Sequence, residues 1–381
     1  MSSAYVGEVS SLIQNKKTCI LTSVHSAFDG RIFHKEAKTL AKAGYRVTLI
    51  AQHSRNEIVD GVKIIAPPKP RNRFSRIFGT TWRTFRLALK QKADIYHFHD
   101  PELIPAGVVL RVLGNKVIYD VHEDVPQQIM YKEWIGSTCV KKCVASIVHV
   151  IEQMATVIFT KVVAATPDIA KKFNPSKTVL IRNLPKIDLI DNIELSKRKK
   201  DRPIIIYAGG LTRVRGIKEI IQAMEFIGDR AELWLLGEWE NREFERECEF
   251  LEGWGYAKYL GHIPYGMHYS FLKISSVGLI NYLSLPNQIR ALPNKPFEYM
   301  ACSLPMVMSN FPYWQKIFEE CALFANPYNP EDIADKILYL LSNPDKAKQF
   351  GERGRQLIEE KYSWENESKK LLKAYEQLYR E

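Results

Sequence analysis

The sequence predicts an α/β protein of two doubly wound, Rossmann-like lobes facing a central cleft. Three observations predict it. Short apolar, β-branched runs alternate with helical patterns, as expected of parallel strands covered on both faces. The alternation occurs as two series, separated by Lys186–Arg202, where a charge cluster, Lys197–Arg202, precedes Pro203. The length, 381 residues, suits two domains at about 150 residues each. The expected boundaries are a first lobe over 1–185, a linker over 186–202 and a second lobe over 203–362.

In the first lobe, strands are expected at Thr18–Val24, Tyr45–Ala51, Val62–Ala66, Ala93–Phe98, Lys116–Val121, Val157–Ala165 and Thr178–Arg182. Helical spacing fits Arg31–Ala43 and Glu102–Leu113. In the second lobe the strands are Pro203–Ala208, Ala231–Leu236, Ala257–Leu260, Ser276–Asn281, Pro305–Ser309 and Ala322–Ala325. Between them run the helices Ile217–Phe226, Arg242–Gly253 and Asn294–Cys302. Beyond Ala325 the pattern is helical, over Pro330–Leu341, Asp345–Lys361 and Trp364–Tyr379.

Composition narrows the class. Apolar residues make up 46% and charged residues 25%, ordinary for a globular chain and unlike disordered or collagen-like ones. No apolar run approaches the roughly 18 residues that span a bilayer, and Met1–Asn15 lacks the apolar core of a secretory signal. The expected location is cytoplasmic. Six cysteines form no CxxC pair, so buried thiols are expected rather than disulfides or a zinc ribbon. The net charge is +11, and eight basic residues with no acidic one fall between Lys69 and Lys92. No nucleic-acid motif accompanies that patch.

Ligands of open α/β sheets bind beyond the carboxyl ends of the strands. Those positions in the first lobe hold His25–Arg31, His99-Asp100 and His122-Glu123-Asp124. In the second they hold Gly209-Gly210, Gly237-Glu238, Gly261-His262, Asn281-Tyr282 and Ser309-Asn310. There is no GxGxxG, GxxxxGK[ST], GxSxG or HExxH. His97, His99 and Asp100 lack a third imidazole nearby, so no metal site is expected.

The sharpest feature is Tyr207–Glu219, a strand ending in Gly209-Gly210 followed by Arg213, Arg215 and Lys218. Glycines, helix amides and cations suit a diphosphate; a merely solvated basic turn is the other reading. In Leu292–Ala301, Asn294 is a plausible N-cap and Pro296 fits the first turn. Glu298 would accept hydrogen bonds from a ribose diol, or only complement the helix dipole.

Those two runs, the continuation Cys302–Val307, the glycine-ended strand Leu233–Gly237 and the opening Asp29-Gly30-Arg31-Ile32 with Ala37–Gly44 together resemble glycosyltransferase family 4. The resemblance covers nearly the whole chain. It implies the GT-B fold, with an acceptor-binding first lobe, a nucleotide-sugar-binding second lobe and a C-terminal helix, 363–381, packing back on the first. It implies retaining, metal-independent transfer of a hexose from a nucleotide sugar, UDP-glucose as first guess. The acceptor would be a saccharide or lipid-linked saccharide of bacterial exopolysaccharide assembly. No cofactor is implied beyond that co-substrate. Arg215 and Gly216 match the family's Lys-Gly at the donor diphosphate. Glu298 matches the second glutamate of E-x7-E, and His122 a histidine near the transferred sugar.

The expected catalytic residues are thus His122, Glu123 and Arg215. Donor contacts are expected from Gly209, Gly210, Arg213, Arg215, Lys218, Gly237, His262, Asn294, Lys295 and Glu298. Acceptor contacts are expected from His25, Asp29, Arg31, His99 and Asp100. Two positions depart from the family pattern: Gly210 stands where the diphosphate-loop arginine is usual, with Arg213 able to take its charge, and Arg290 replaces the first glutamate. Rival readings are a sugar-nucleotide epimerase or hydrolase and a non-enzymatic sugar-nucleotide-binding protein. Finally, Phe74, Phe78, Trp82, Phe85 and Leu89 recur at helical spacing among arginines. Such a basic amphipathic helix within 69–92 would rest on a membrane surface, or pack its aromatic stripe on the sheet.

Overall fold

The computed structural model describes residues 16–68, 79–131, 136–195, 202–289 and 291–380. It divides into two units, 1–183 with 366–381, and 184–365. The first holds β1 (Lys17–Ser26), β2 (Arg46–Gln52), β3 (Glu57–Val59), β4 (Val62–Ile65), β5 (Ile95–Phe98), β6 (Lys116–Val121), β7 (Lys161–Ala164) and β8 (Thr178–Leu180). They form one sheet in the order β3-β4-β2-β1-β5-β6-β7-β8. Every pairing is parallel except β3 with β4. Burial explains the parallel pattern: β5 and β7 are buried at every position, since helices cover both faces.

The second unit holds β9 (Ile204–Ala208), β10 (Glu232–Leu236), β11 (Ala257–Gly261), β12 (Val277–Ile280), β13 (Met306–Ser309) and β14 (Ala322–Ala325). Their order is β11-β10-β9-β12-β13-β14, all parallel. In each sheet the chain builds outward from one central strand, then returns to build the other way. The switch points lie between β1 and β5 and between β9 and β12. A crevice opens beyond the strand ends at such a point, so topology alone singles out His25, His99, Gly209 and Tyr282.

The structure departs from the sequence reading in several places. The expected strand Val157–Ala165 is shorter, because the helix Thr138–Ile158 runs through its first two residues. β-Branched Val157 and Ile158 resemble a strand locally, yet they complete a helix. The strand β3 is a three-residue antiparallel edge, too short to carry a period. The stretch 186–202 is not wholly a linker. The helix Ile187–Asp191 buries Ile190 in the second unit, and Arg355 grips both Asp191 oxygens at 2.8 Å. Residues 196–201 lie outside the described residues.

The cysteines also differ from expectation. Cys19, Cys248 and Cys321 are buried, but Cys139 and Cys143 are exposed. Of the aromatic stripe, Phe74 and Phe78 lie outside the described residues. Phe85 is buried in the first unit's core, whereas Trp82 and Leu89 are exposed. The described part of that helix, Thr81–Gln91, therefore docks one aromatic on the sheet and does not present a single outward stripe. At the C-terminus, the helix Trp364–Arg380 buries Leu371, Tyr375 and Leu378, and its Tyr375 hydroxyl meets His97 Nδ1 at 2.8 Å.

Candidate functional site

The second unit has a cavity of about 600 Å³ beyond the ends of β9 and β10. Two glycines let the backbone turn there. Gly209 (φ +144°) and Gly237 (φ +143°) adopt a conformation that side chains rarely take. A Cβ on Gly237 would fall on the Gly209 carbonyl oxygen, and one on Gly209 would overlap the Lys295 ammonium. The Gly209 amide is fixed by Leu236 O at 2.7 Å and the Gly237 amide by Gly261 O at 2.8 Å.

Cations converge on this floor. Arg215 donates from Nη1 to Gly210 O at 3.1 Å and lies 5.8 Å from the Tyr282 ring centroid. Lys295 Nζ lies 5.6 Å from the centroid of Tyr207 and 5.8 Å from that of Tyr282, with the Tyr282 hydroxyl at 3.4 Å. Burial, with Arg215 adding repulsion, holds the Lys295 ammonium below the usual lysine range. An anion in the cavity would relieve both effects. Also lining the cavity, Glu298 Oε2 stands 3.7 Å from His268 Nε2.

The first unit gathers a second constellation. His122 Nε2 lies 3.2 Å from His25 Nε2, and His122 Nδ1 lies 3.7 Å from Asp120 Oδ1. His25 in turn faces Asp29 at 3.6 Å and Asp100 at 3.5 Å. Its bond to Asp29 raises the His25 pKa, against the effect of burial. Burial opposes ionisation of Asp29, yet His25 and the amides of Ile32 and Arg31 hold its carboxyl well below the usual range.

Behind these lies a buried layer in which Glu36, His97, His99 and Asp120 offer atoms within 4.8 Å of one another. The cation among them is Arg31, with Nε 2.8 Å from Glu36 and Nη2 2.7 Å from Asp120. Burial and the Asp120 charge push Glu36 well above the carboxylate range, whereas Arg31 holds Asp120 well below it despite burial. Burial likewise depresses His99.

Two family models match, one in each half of the chain: "Glycosyltransferase Family 4" over residues 30–160 and "Glycosyl transferases group 1" over 190–357. The fold is GT-B, and each half of the chain matches a glycosyltransferase domain model. Similar solved structures include sucrose-phosphate synthase from Thermosynechococcus elongatus, with 18% identity, TM-score 0.75, and coverage of 96% of this chain and 100% of that one. HepE from Anabaena, in complex with UDP-glucose, has 10% identity and TM-score 0.69, covering 95% and 99%. Two uncharacterized glycosyltransferases of Methanocaldococcus jannaschii are also similar. MJ1178 is 25% identical over 190 residues, 49% of this chain and 52% of that protein. MJ1607 is 28% identical over 180 residues, 46% and 45% respectively. The matched segment spans about half the length of these curated relatives.

The cavity brings together Gly209, Gly210, Arg215, Gly237, His262, Asn294, Lys295 and Glu298 from the expected donor set. Arg213 and Lys218 do not line it. Both pair with Glu247, at 2.5 and 2.9 Å, and the Arg213 guanidinium stacks on Phe244. The turn Arg213–Arg215 ends at Gly216 before the helix Ile217–Ile227 starts, which sends alternate side chains apart. Asn294 occupies the N-cap position, but its side chain makes no capping bond. Arg290 lies outside the described residues.

The expected acceptor set is corrected more strongly. Arg31, His99 and Asp100 are buried. Asp100 Oδ2 accepts from the Thr22 hydroxyl at 2.7 Å and from the Ser23 amide at 2.6 Å. Asp100 thereby holds the end of β1 in place, and none of the three side chains meets solvent. His25 and Asp29 are half-exposed, His122 is half-buried and Glu123 is exposed. Sequence reasoning missed Tyr265 and His268, which line the cavity from the segment after β11. Asp120 and Glu36 were missed too, although Asp120 shares with His122 the i, i+2 spacing that puts strand residues on one side.

Proposed function

We propose that the chain transfers a hexose from a nucleotide diphosphate sugar, UDP-glucose first, to a saccharide or lipid-linked saccharide acceptor in polysaccharide assembly. The observation that carries this reading is the glycine-floored cavity with Arg215 and Lys295 converging on it. At about 600 Å³ it is of the size that binds small ligands. UDP-glucose in HepE supports the donor class. So does UDP-2-fluoro glucose in the E. coli protein described as trehalose-6-phosphate, TM-score 0.68 at 11% identity, covering 95% of this chain and 99% of that one.

The bond from the anomeric carbon to the diphosphate oxygen breaks, and negative charge develops on the leaving diphosphate. Arg215 and Lys295 stabilise that charge, so no metal is required for this step. Glu298 holds the ribose diol, and His268 keeps its carboxylate oriented. His122 acts at the transferred sugar, with Asp120 orienting its ring. The acceptor hydroxyl oxygen bonds to the anomeric carbon with retention, as the family resemblance implies, and its proton passes to the oxygen of the leaving diphosphate. The exposed cations Arg83, Arg86 and Lys90 support contact with an anionic membrane through residues 69–92.

The test is incubation with a panel of sugar nucleotides, read by thermal shift and by hydrolysis, then proton NMR of the product's anomeric configuration. UDP-sugars should stabilise the protein above all others. Stabilisation by no sugar nucleotide would refute the donor reading.

A further inference from the structure

The first unit holds a cavity of about 380 Å³ at the amino ends of its strands. Strand register builds its floor. Lys17 of β1 pairs with Arg46 of β2, and Thr48 of β2 pairs with Lys63 of β4. Paired residues of neighbouring strands face the same way, as do residues two apart on one strand. Lys17, Arg46, Thr48 and Lys63 therefore share one face of the sheet. Ile58 of β3, opposite Lys63, and Gln91, the last residue of the helix Thr81–Gln91, also line the cavity. Among the described residues no carboxylate lines it. The flanking acids are engaged elsewhere. Asp94 accepts from the Lys17 amide at 2.8 Å, Asp60 pairs with Lys38, and Glu57 pairs with His53 and Arg55. Lys17, Arg46 and Lys63 are exposed, and among the described residues none of the three is in an ion pair.

Helix dipoles do not account for these charges. The carboxyl end of a helix carries a partial negative charge that favours cations. The helix Thr81–Gln91 already has Lys90 in its last turn and Lys92 at its C-cap. Three like charges around one hollow repel one another, and an anion relieves that repulsion. We propose that this cavity binds a small compound carrying a di- or triphosphate group. Geometry selects that class. The strands β1, β2 and β4 are consecutive in the sheet, so their cations are spread over about 10 Å, which suits a chain of phosphates better than a single one. The planar fork of Arg46 can grip two phosphate oxygens, and the two lysines act as point charges. A hollow of about 380 Å³ is of small-ligand size, whereas a nucleic acid or a bilayer needs a broad surface. His25 and His122 stand at the carboxyl ends of strands in the same sheet, so the cavity is a separate site. The proposal does not rest on sugar transfer.

A lysine footprint tests it. The full chain is acetylated with N-hydroxysuccinimidyl acetate, with and without inorganic tripolyphosphate, and the modified lysines are read by mass spectrometry. Tripolyphosphate should slow acetylation of Lys17 and Lys63 at least about tenfold and leave the exposed Lys348 unaffected. High salt should restore the rate. Arg46→Gln with Lys63→Gln should raise the tripolyphosphate concentration that protects Lys17 at least about tenfold. The thermal midpoint without ligand should stay in place, because both side chains are exposed. Lys17→Gln, a milder change, should weaken protection of Lys63. Arg215→Ala with Lys295→Met should leave the footprint intact, which separates this cavity from the one in the second unit. Unprotected Lys17 and Lys63 in the wild-type chain overturn the proposal. So does protection that survives the Arg46 and Lys63 changes, or that is lost with Arg215 and Lys295. Equal protection by sulfate at matched ionic strength overturns the oligophosphate class. Protection by phosphatidylglycerol vesicles and not by tripolyphosphate would assign the face to a membrane instead.

Discussion

Lys295→Met separates a binding lysine from a structural one, because the two roles predict opposite signs. In the unliganded protein the ammonium is enclosed by the rings of Tyr207 and Tyr282 and repelled by Arg215. Methionine keeps the stem and removes the charge, so the unliganded variant should melt no lower than wild type. UDP binding should move the other way. A charge-assisted hydrogen bond to a phosphate contributes about 1.5–3 kcal/mol, which is roughly a ten- to 150-fold rise in Kd. The pH dependence adds a second readout. Because the Lys295 pKa is lowered in the free protein, the unfolded chain binds more protons between the lowered and the ordinary lysine value. Wild-type stability should therefore gain on the variant as pH rises through that interval. A bound diphosphate favours the protonated form, so UDP binding should take up a proton at alkaline pH, and its affinity should fall as pH rises. Calorimetry in buffers of different ionisation enthalpy measures that uptake, and Lys295→Met should abolish it. A lower melting temperature with unchanged UDP affinity would refute the reasoning.

Arg215→Ala should weaken UDP binding by about 1.5–3 kcal/mol by calorimetry; equal affinity in both proteins would remove Arg215 from the diphosphate site. Glu298→Gln should raise the donor KM while the fold persists; a stability change under about 1 kcal/mol with KM unmoved would leave Glu298 only a helix-dipole role. His122→Ala should lower kcat at least about tenfold with UDP affinity nearly intact, and parallel losses in both would mean misfolding. Arg31→Met should lower stability by about 3–5 kcal/mol in denaturant titration, because Glu36 and Asp120 lose their shared cation; a stable variant with a raised acceptor KM would restore Arg31 to the acceptor site. His25, whose pKa is raised, should contribute stability below pH 6.5 that fades as pH rises through its folded value. The midpoint difference between wild type and His25→Gln, taken at acid and alkaline pH, checks that sign.

The parts of the donor site legible in the sequence are those fixed by strand ends. Gly209, Gly237 and Tyr282 each follow a strand whose apolar run is unmistakable, so topology delivers them to one crevice. Arg215 was legible with its loop, but its neighbours were not separable from it. Arg213, Arg215 and Lys218 look alike as charges. Only the left-handed turn at Gly216 and the partner Glu247, thirty-odd positions along the chain, sort one into the cavity and two onto the surface. Tyr265 and His268 sit in a segment with no period and no motif, so nothing local distinguished them. The helix Thr138–Ile158 hid for a related reason. Its Val and Ile content reads as strand.

Burial decides which of the first lobe's conspicuous polar residues can meet a ligand. His25, Asp29, Arg31, His99, Asp100 and His122 all stand near strand ends and looked equivalent in the sequence. In the fold they form layers. Asp29, His25 and His122 reach the surface of the lobe; Asp100 and Asp120 brace them; Arg31, Glu36, His97 and His99 lie behind. Asp120 stays ionised because Arg31 faces one of its oxygens, and its other oxygen lies 3.7 Å from Nδ1 of His122. Nε2 of His122 is directed toward Nε2 of His25, 3.2 Å away. The buried Arg31 thereby acts on the half-buried His122 through Asp120. The inner layer therefore belongs to the site even though no ligand touches it.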